Sequence, residues 1–184
     1  SKKKRNVHLY VSKKRGDYFS AVTDAGIKAA KNAGYSFVRV QGAVYVNQVP
    51  GTVPLKLFWN GNRKEKYSTS TVWGEATAKG AGYKFVRIQG YVYPATSKVA
   101  GTSNLMGLWG GSKGVLDNMT VTSTALKNTY VKAGWYSFGS VGRLLKAEPT
   151  KSTKVYTCNE GTRSGAKNCR VKVVKLKSKC TPGA

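Results

Sequence analysis

Short runs rich in β-branched and aromatic residues, VHLYV and PLKLFW, are each followed by a polar turn, KKRGD or NGNRKE, and by a second run, YFSAVT or YSTST. That order predicts β-hairpins. The period then changes. TDAGIKAAKNAG, TVWGEATAKGAG and TSTALKNTYVKAG each predict a helix of about ten residues. Thr, Ser or Asp stands at its start as the N-cap, and Gly34, Gly82 or Gly134 at its end as the left-handed stop. A helix this short is marginal alone. YSFVRVQGAVYV and YKFVRIQGYVY follow at once and alternate apolar with polar up to a glycine, as half-buried strands do. Gly42, Gly90 and Gly142 mark a bulge or a tight approach of backbones.

The pattern is written more than once. Leu9–Tyr45 aligns with Leu57–Tyr93 without a gap, and 17 of the 37 paired positions are identical. A weaker third copy carries AGW at 133–135, and LWGGSKGVLDNMTVTST echoes LFWNGNRKEKYSTST. Such units usually cannot bury their apolar faces singly, so three must share one core. The expected fold is mainly β with short helices. It is a pseudo-threefold β-trefoil-like assembly of three ~48-residue repeats, about 7–52, 53–102 and 103–148, within a domain spanning 1–150. Residues 151–184 form a basic, Cys-containing C-terminal extension expected to pack on it as a hairpin. Tyr35, Tyr83 and Trp135, each following a helix stop, read as core wedges in preference to ligand-stacking rings.

The motifs GDYF at 16–19, AGY at 33–35 and 81–83, QGAVY at 41–45 and QGYVY at 89–93 resemble the DUF5648-like secreted three-repeat modules of unknown function. The resemblance covers roughly residues 7–146. It implies an extracellular, non-catalytic, trefoil-type module that binds glycans or cell surfaces. Copy three departs from the pattern, with Gly139 and Val141 where the others have Arg and Gln.

Composition changes the picture in one respect. With 40% hydrophobic and 11% aromatic residues the chain is globular, yet its formal net charge is +25. A field of that sign draws in polyanions and weakens with salt. The charge sits in Lys2, Lys3, Lys4 and Arg5, in Lys13, Lys14 and Arg15, and in the tail. There Arg170, Lys172, Lys175, Lys177 and Lys179 form a strip that reads either as a track for a phosphate or sulfate backbone or as a solvated edge strand. No stretch has the length and apolarity of a membrane-spanning helix, and SKKKRNVHLY lacks the apolar segment of a signal peptide, which fits a mature form. Cys158, Cys169 and Cys180 are spaced too openly for a zinc knuckle, and no metal or cofactor is expected. One disulfide is expected, which leaves an odd thiol, either free and buried or available for a disulfide-linked dimer.

Asp17, Glu65 and Asp117 occupy the same repeat position at the end of the hairpin turn. They read as carboxylates for sugar hydroxyls beside the rings of Trp59 and Trp109, or as turn carboxylates that cap backbone N–H groups. The Arg15-Gly16-Asp17 tripeptide is adequately explained by the turn. His8, the single histidine, lies in the first strand at a surface or edge position, and no nucleophile, P-loop or metal-protease motif accompanies it, so no enzyme is expected. Asn118-Met119-Thr120 is a glycosylation acceptor. The expectation is a secreted non-enzymatic protein that attaches to anionic or neutral polysaccharide surfaces. The alternatives are nucleic-acid binding, with aromatic residues stacking bases between lysines, and a cationic antimicrobial or toxin acting on an anionic cell surface.

Overall fold

The computed structural model describes residues 2–14, 17–110, 117–149, 152–158 and 169–175. The described residues are mainly β with three short helices. The first copy supplies β1 (Lys4–Ser12), β2 (Asp17–Ala21), α1 (Asp24–Asn32) and β3 (Ser36–Tyr45). The second supplies β4 (Val53–Asn60), β5 (Glu65–Thr69), α2 (Val72–Gly80) and β6 (Lys84–Val92), and the third β7 (Ser103–Gly110), β8 (Asp117–Val121), α3 (Thr124–Lys132) and β9 (Tyr136–Leu144). These elements lie within one compact unit. A second unit begins at Pro149 and contains β10 (Ser152–Cys158) paired antiparallel with β11 (Cys169–Lys175).

In every copy the opening strand lies between its hairpin partner and the strand after the helix, giving the orders β2-β1-β3, β5-β4-β6 and β8-β7-β9. The helices form where the sequence supplies their ends. Thr23, Thr71 and Ser123 accept through their side-chain oxygens from the N–H groups of Gly26, Gly74 and Leu126. Gly34, Gly82 and Gly134 adopt φ of 80°, 88° and 95°, which lets the next residue's N–H reach back to the carbonyls of Ala30, Ala78 and Tyr130. The aromatic residue after each glycine is therefore placed by the same reversal three times.

The predicted bulge is present in all three copies. Register passes from Val7↔Gly42 to His8↔Val40, from Leu55↔Gly90 to Lys56↔Ile88, and from Leu105↔Gly142 to Met106↔Ser140. Gln41, Gln89 and Val141 are the extra residues. A Cβ on Gly90 would lie 2.9 Å from the Tyr45 carbonyl oxygen, and one on Gly42 would lie 2.8 Å from that of Leu145. Only glycine fits where these strands meet. Beyond the bulges, Tyr45 pairs with Tyr91, Tyr93 with Arg143, and Leu145 with Ala43, so each copy's last strand bridges to the next in cyclic order.

One buried cluster joins the copies: Val7, Leu55 and Leu105 come from equivalent positions, as do Val44, Val92 and Leu144. Each copy adds a local cluster beneath its helix, centred on Tyr10, Phe58 or Leu108. Tyr35 and Tyr83 are buried, and Trp135 is half-buried. His8 lies on a strand flanked on both sides and is half-buried against Tyr10 and Phe37, away from any sheet edge. Burial, and then the charge of Lys31, lower its pKa and keep the imidazole neutral near pH 7.

Candidate functional site

The return strands β2, β5 and β8 begin at Asp17, Glu65 and Asp117, and the residue after each lies at the seam with the preceding copy. Tyr18, Lys66 and Asn118 hold this second position. They differ in length and charge, and the three seams differ accordingly.

Between the third and first copies, Tyr18 meets Tyr130 of α3 at 2.6 Å between hydroxyl oxygens, and their rings pack edge to face. The Tyr18 backbone N–H donates to the Asp117 carboxylate at 3.3 Å. Two tyrosines fill this seam. Between the first and second copies, the Lys66 ammonium lies 4.0 Å from the ring centre of Phe19, 5.7 Å from Trp59 and 5.8 Å from Tyr35. One lysine fills this seam.

The seam between the second and third copies holds short residues instead. Asn118 stands where Lys66 and Tyr18 stand elsewhere, and Ala78 of α2 stands where α3 has Tyr130. Ala78 is too short to cross, the Asn118 amide is held against Tyr83 and Glu65 of the second copy, and a groove of about 350 Å³ remains. Tyr67, Tyr83 and Trp109 line its inner wall and Phe138 packs against Tyr67, with ring centres 5.9 Å apart. Trp73 and Tyr136 stand at its mouth, 63% and 70% exposed, where the other copies have Ala25 and Ala125 or Ser36 and Lys84. The Arg63 guanidinium lies 5.9 Å from the Trp109 ring centre. Exposed aromatic rings around a concavity of this size, with a few fixed polar groups, are what small-ligand sites present.

The polar groups here are firmly held. The Tyr83 hydroxyl donates to Glu65 Oε2 at 2.6 Å, and Asn118 Nδ2 donates to Tyr83 Oη at 2.8 Å and to Glu65 Oε2 at 3.2 Å. Glu65 is buried. Burial first, and then the hydrogen bond to and charge of Glu65, push the Tyr83 pKa well above the ordinary phenol value. Trp109 Nε1 is buried with no hydrogen-bond partner among the described residues. Asn118 spends its amide on this network, which is incompatible with a glycan on the same nitrogen.

The structure thus brings two of the predicted glycan residues to one seam, Glu65 through its hydrogen bonds with Tyr83 and Asn118, and Trp109 as the strand-register partner of Asn118. Trp59 is 37% exposed and belongs to the lysine-filled seam, and Asp117 is buried at the tyrosine-filled one. Asp17 opens β2, and its side chain lies outside the described residues. Among the predicted polyanion contacts, Lys2, Lys3, Lys13 and Lys14 are exposed. Lys4 pairs with Glu148 at 3.6 Å and Arg5 with Asp24 at 3.8 Å, surface contacts worth little individually. Arg15, Lys177 and Lys179 lie outside the described residues. Arg170, Lys172 and Lys175 fall on β11, whose register with β10 has no irregularity, so Lys175 takes the opposite parity from the other two. Cys158 and Cys169 are register partners at the end of that ladder, and Cys180 lies outside the described residues.

Sequence reasoning passed over Arg63, Tyr67, Trp73, Tyr136 and Phe138. The usable signal was the departure of one copy from the others, an aromatic residue at 73 and 136 against small or charged ones at the equivalent positions. Comparison with protein-family models, with curated proteins and with solved structures finds no match to this chain.

Proposed function

We propose that the protein is a secreted, non-enzymatic binding module that attaches to anionic or polysaccharide material, with its three units closing as a pseudo-threefold trefoil-like assembly. The cyclic bridges between β3, β6 and β9 and the shared apolar cluster support the assembly. So do the three identical bulges, and the likeness to DUF5648-like modules is part of the same reading. In the tail, Cys158 and Cys169 are the pair assigned to the expected bridge, because they stand opposite each other.

The observation that carries the binding reading is the groove between the second and third copies, walled by aromatic rings on a chain of net charge +25. Ring faces pack on the C–H surfaces of sugars, and Arg63 and Asn118 supply polar contacts at the same place. The long-range field retains polyanions at the surface while the groove selects among them.

Chromatography separates the two contributions. Loaded on heparin and on a neutral polysaccharide resin, the protein should bind the second even in high salt. Trp73→Ala together with Tyr136→Ala should abolish that salt-resistant retention and leave heparin elution nearly unchanged. Unchanged retention of the double variant on the neutral resin would remove the groove from the reading. Binding to heparin and nucleic acid alone would leave only charge.

A further inference from the structure

The lysine-filled seam shows what the open one is shaped to hold. Tyr67, Tyr83 and Trp109 occupy the repeat positions of Phe19, Tyr35 and Trp59, whose rings surround the Lys66 ammonium at 4.0, 5.8 and 5.7 Å. In the open seam the equivalent three rings line the wall, and the residue equivalent to Lys66 is Asn118, which is shorter, carries no charge and has its amide held on Tyr83 and Glu65. A buried carboxylate, Glu65, is tied to this wall through Tyr83 and Asn118. The electron-rich faces of phenol and indole rings attract ammonium groups within about 6 Å, and a nearby carboxylate adds to that attraction.

We propose that the groove between the second and third copies binds an alkylammonium group, primary or quaternary, in the place where the neighbouring seam holds the chain's own lysine. The inference rests on the reading of this groove as the binding site and adds the chemical group it takes. A net charge of +25 weakens the binding of a free ammonium, which then needs high concentration and salt to screen the field, and favours an ammonium carried on a molecule that is itself anionic. The Arg63 guanidinium, exposed and 5.9 Å from the Trp109 ring centre, is placed to meet an anionic group of that carrier beside the ammonium. A zwitterionic unit, with ammonium and phosphate or carboxylate a few bonds apart, satisfies both contacts.

The test follows the four indole N–H resonances while choline chloride replaces sodium chloride at constant ionic strength. Trp73 and Trp109 should shift saturably, and Trp59 and Trp135 should not. Asn118→Lys installs the residue of the filled seam and should weaken the response about tenfold or more, with circular dichroism confirming the fold. Lys66→Ala empties the neighbouring cage and should bring Trp59 into the choline response as well. A choline response that survives Asn118→Lys unchanged overturns the inference. No response to choline alongside a shift of the same two indoles with a neutral oligosaccharide overturns it too and leaves the groove as a sugar site. Silence to both probes overturns the inference and the groove reading together.

Discussion

Tyr83 performs two tasks that a sequence cannot separate. Its ring is a buried wedge after the α2 stop, and its edge is also part of the groove wall, with the hydroxyl fixed on Glu65. That hydroxyl and the one on Tyr130 are both pushed to higher pKa, chiefly by burial and then by their hydrogen-bonded neighbours Glu65 and Tyr18. The consequence has a definite sign. Above about pH 10 the unfolded chain releases these protons while the folded chain keeps them, so the folded state binds more protons and stability falls as pH rises. Below that pH the contribution is fully present. Absorbance at 295 nm should show that a subset of the eleven tyrosines ionises only when the protein unfolds, and Tyr83→Phe should reduce both that subset and the loss of stability in alkali. Ionisation of all tyrosines together near pH 10 in the folded protein would contradict this environment.

At the level of elements, the bulge explains why Gln precedes Gly in two copies. The side chain of the extra residue turns toward the return strands: Ser20 and Ser68 donate to the Gln41 and Gln89 Oε1 atoms, both at 2.8 Å. Their Nε2 atoms donate to the carbonyls of Thr120 and Ser20 in the preceding copy, at 2.6 and 3.0 Å. Each glutamine thus ties its own hairpin to its neighbour's. Both are buried, so Gln89→Ala strands a hydroxyl and a carbonyl away from water and should lower stability by about 1–3 kcal/mol. Urea unfolding measures this as a lower midpoint at unchanged slope. A loss below the error of the extrapolation would mean that these bonds contribute nothing.

Much at this scale was legible in the residues. The N-cap threonines and serine, the left-handed glycines and the glycine at the bulge are each demanded by a local backbone geometry, so sequence reveals them. The groove was not legible in the same way. It exists because Ala78 is not Tyr130 and Asn118 is not Lys66, differences that matter only once two copies are placed side by side. The alternation of residues cannot report which residues meet across a seam. Nor did it indicate that Glu65 and Asp117 would be buried, since a carboxylate at a hairpin turn ordinarily remains in water.

For the whole molecule, two properties combine that rarely act on the same scale. A surplus of 25 positive charges acts over about 8–10 Å in physiological salt and discriminates little among polyanions. Among the described residues one seam is left unfilled; it acts only at contact, and its exposed rings, Trp73 of the second copy and Tyr136 of the third, have no aromatic counterpart in the other copies. Repetition supplied three similar seams, and divergence at a few positions closed two of them from within. The account therefore predicts one binding site per chain despite three copies. Hydroxyl-radical footprinting tests this most directly, with oligosaccharides cut from whichever polymer retains the protein in high salt. Trp73 and Tyr136 should be protected, while Trp59 and Phe85, which are exposed elsewhere, oxidise at their free rate. Equal oxidation of Trp73 and Tyr136 with and without the oligosaccharide, with protection confined to Lys2, Lys3 or other basic positions, would contradict it.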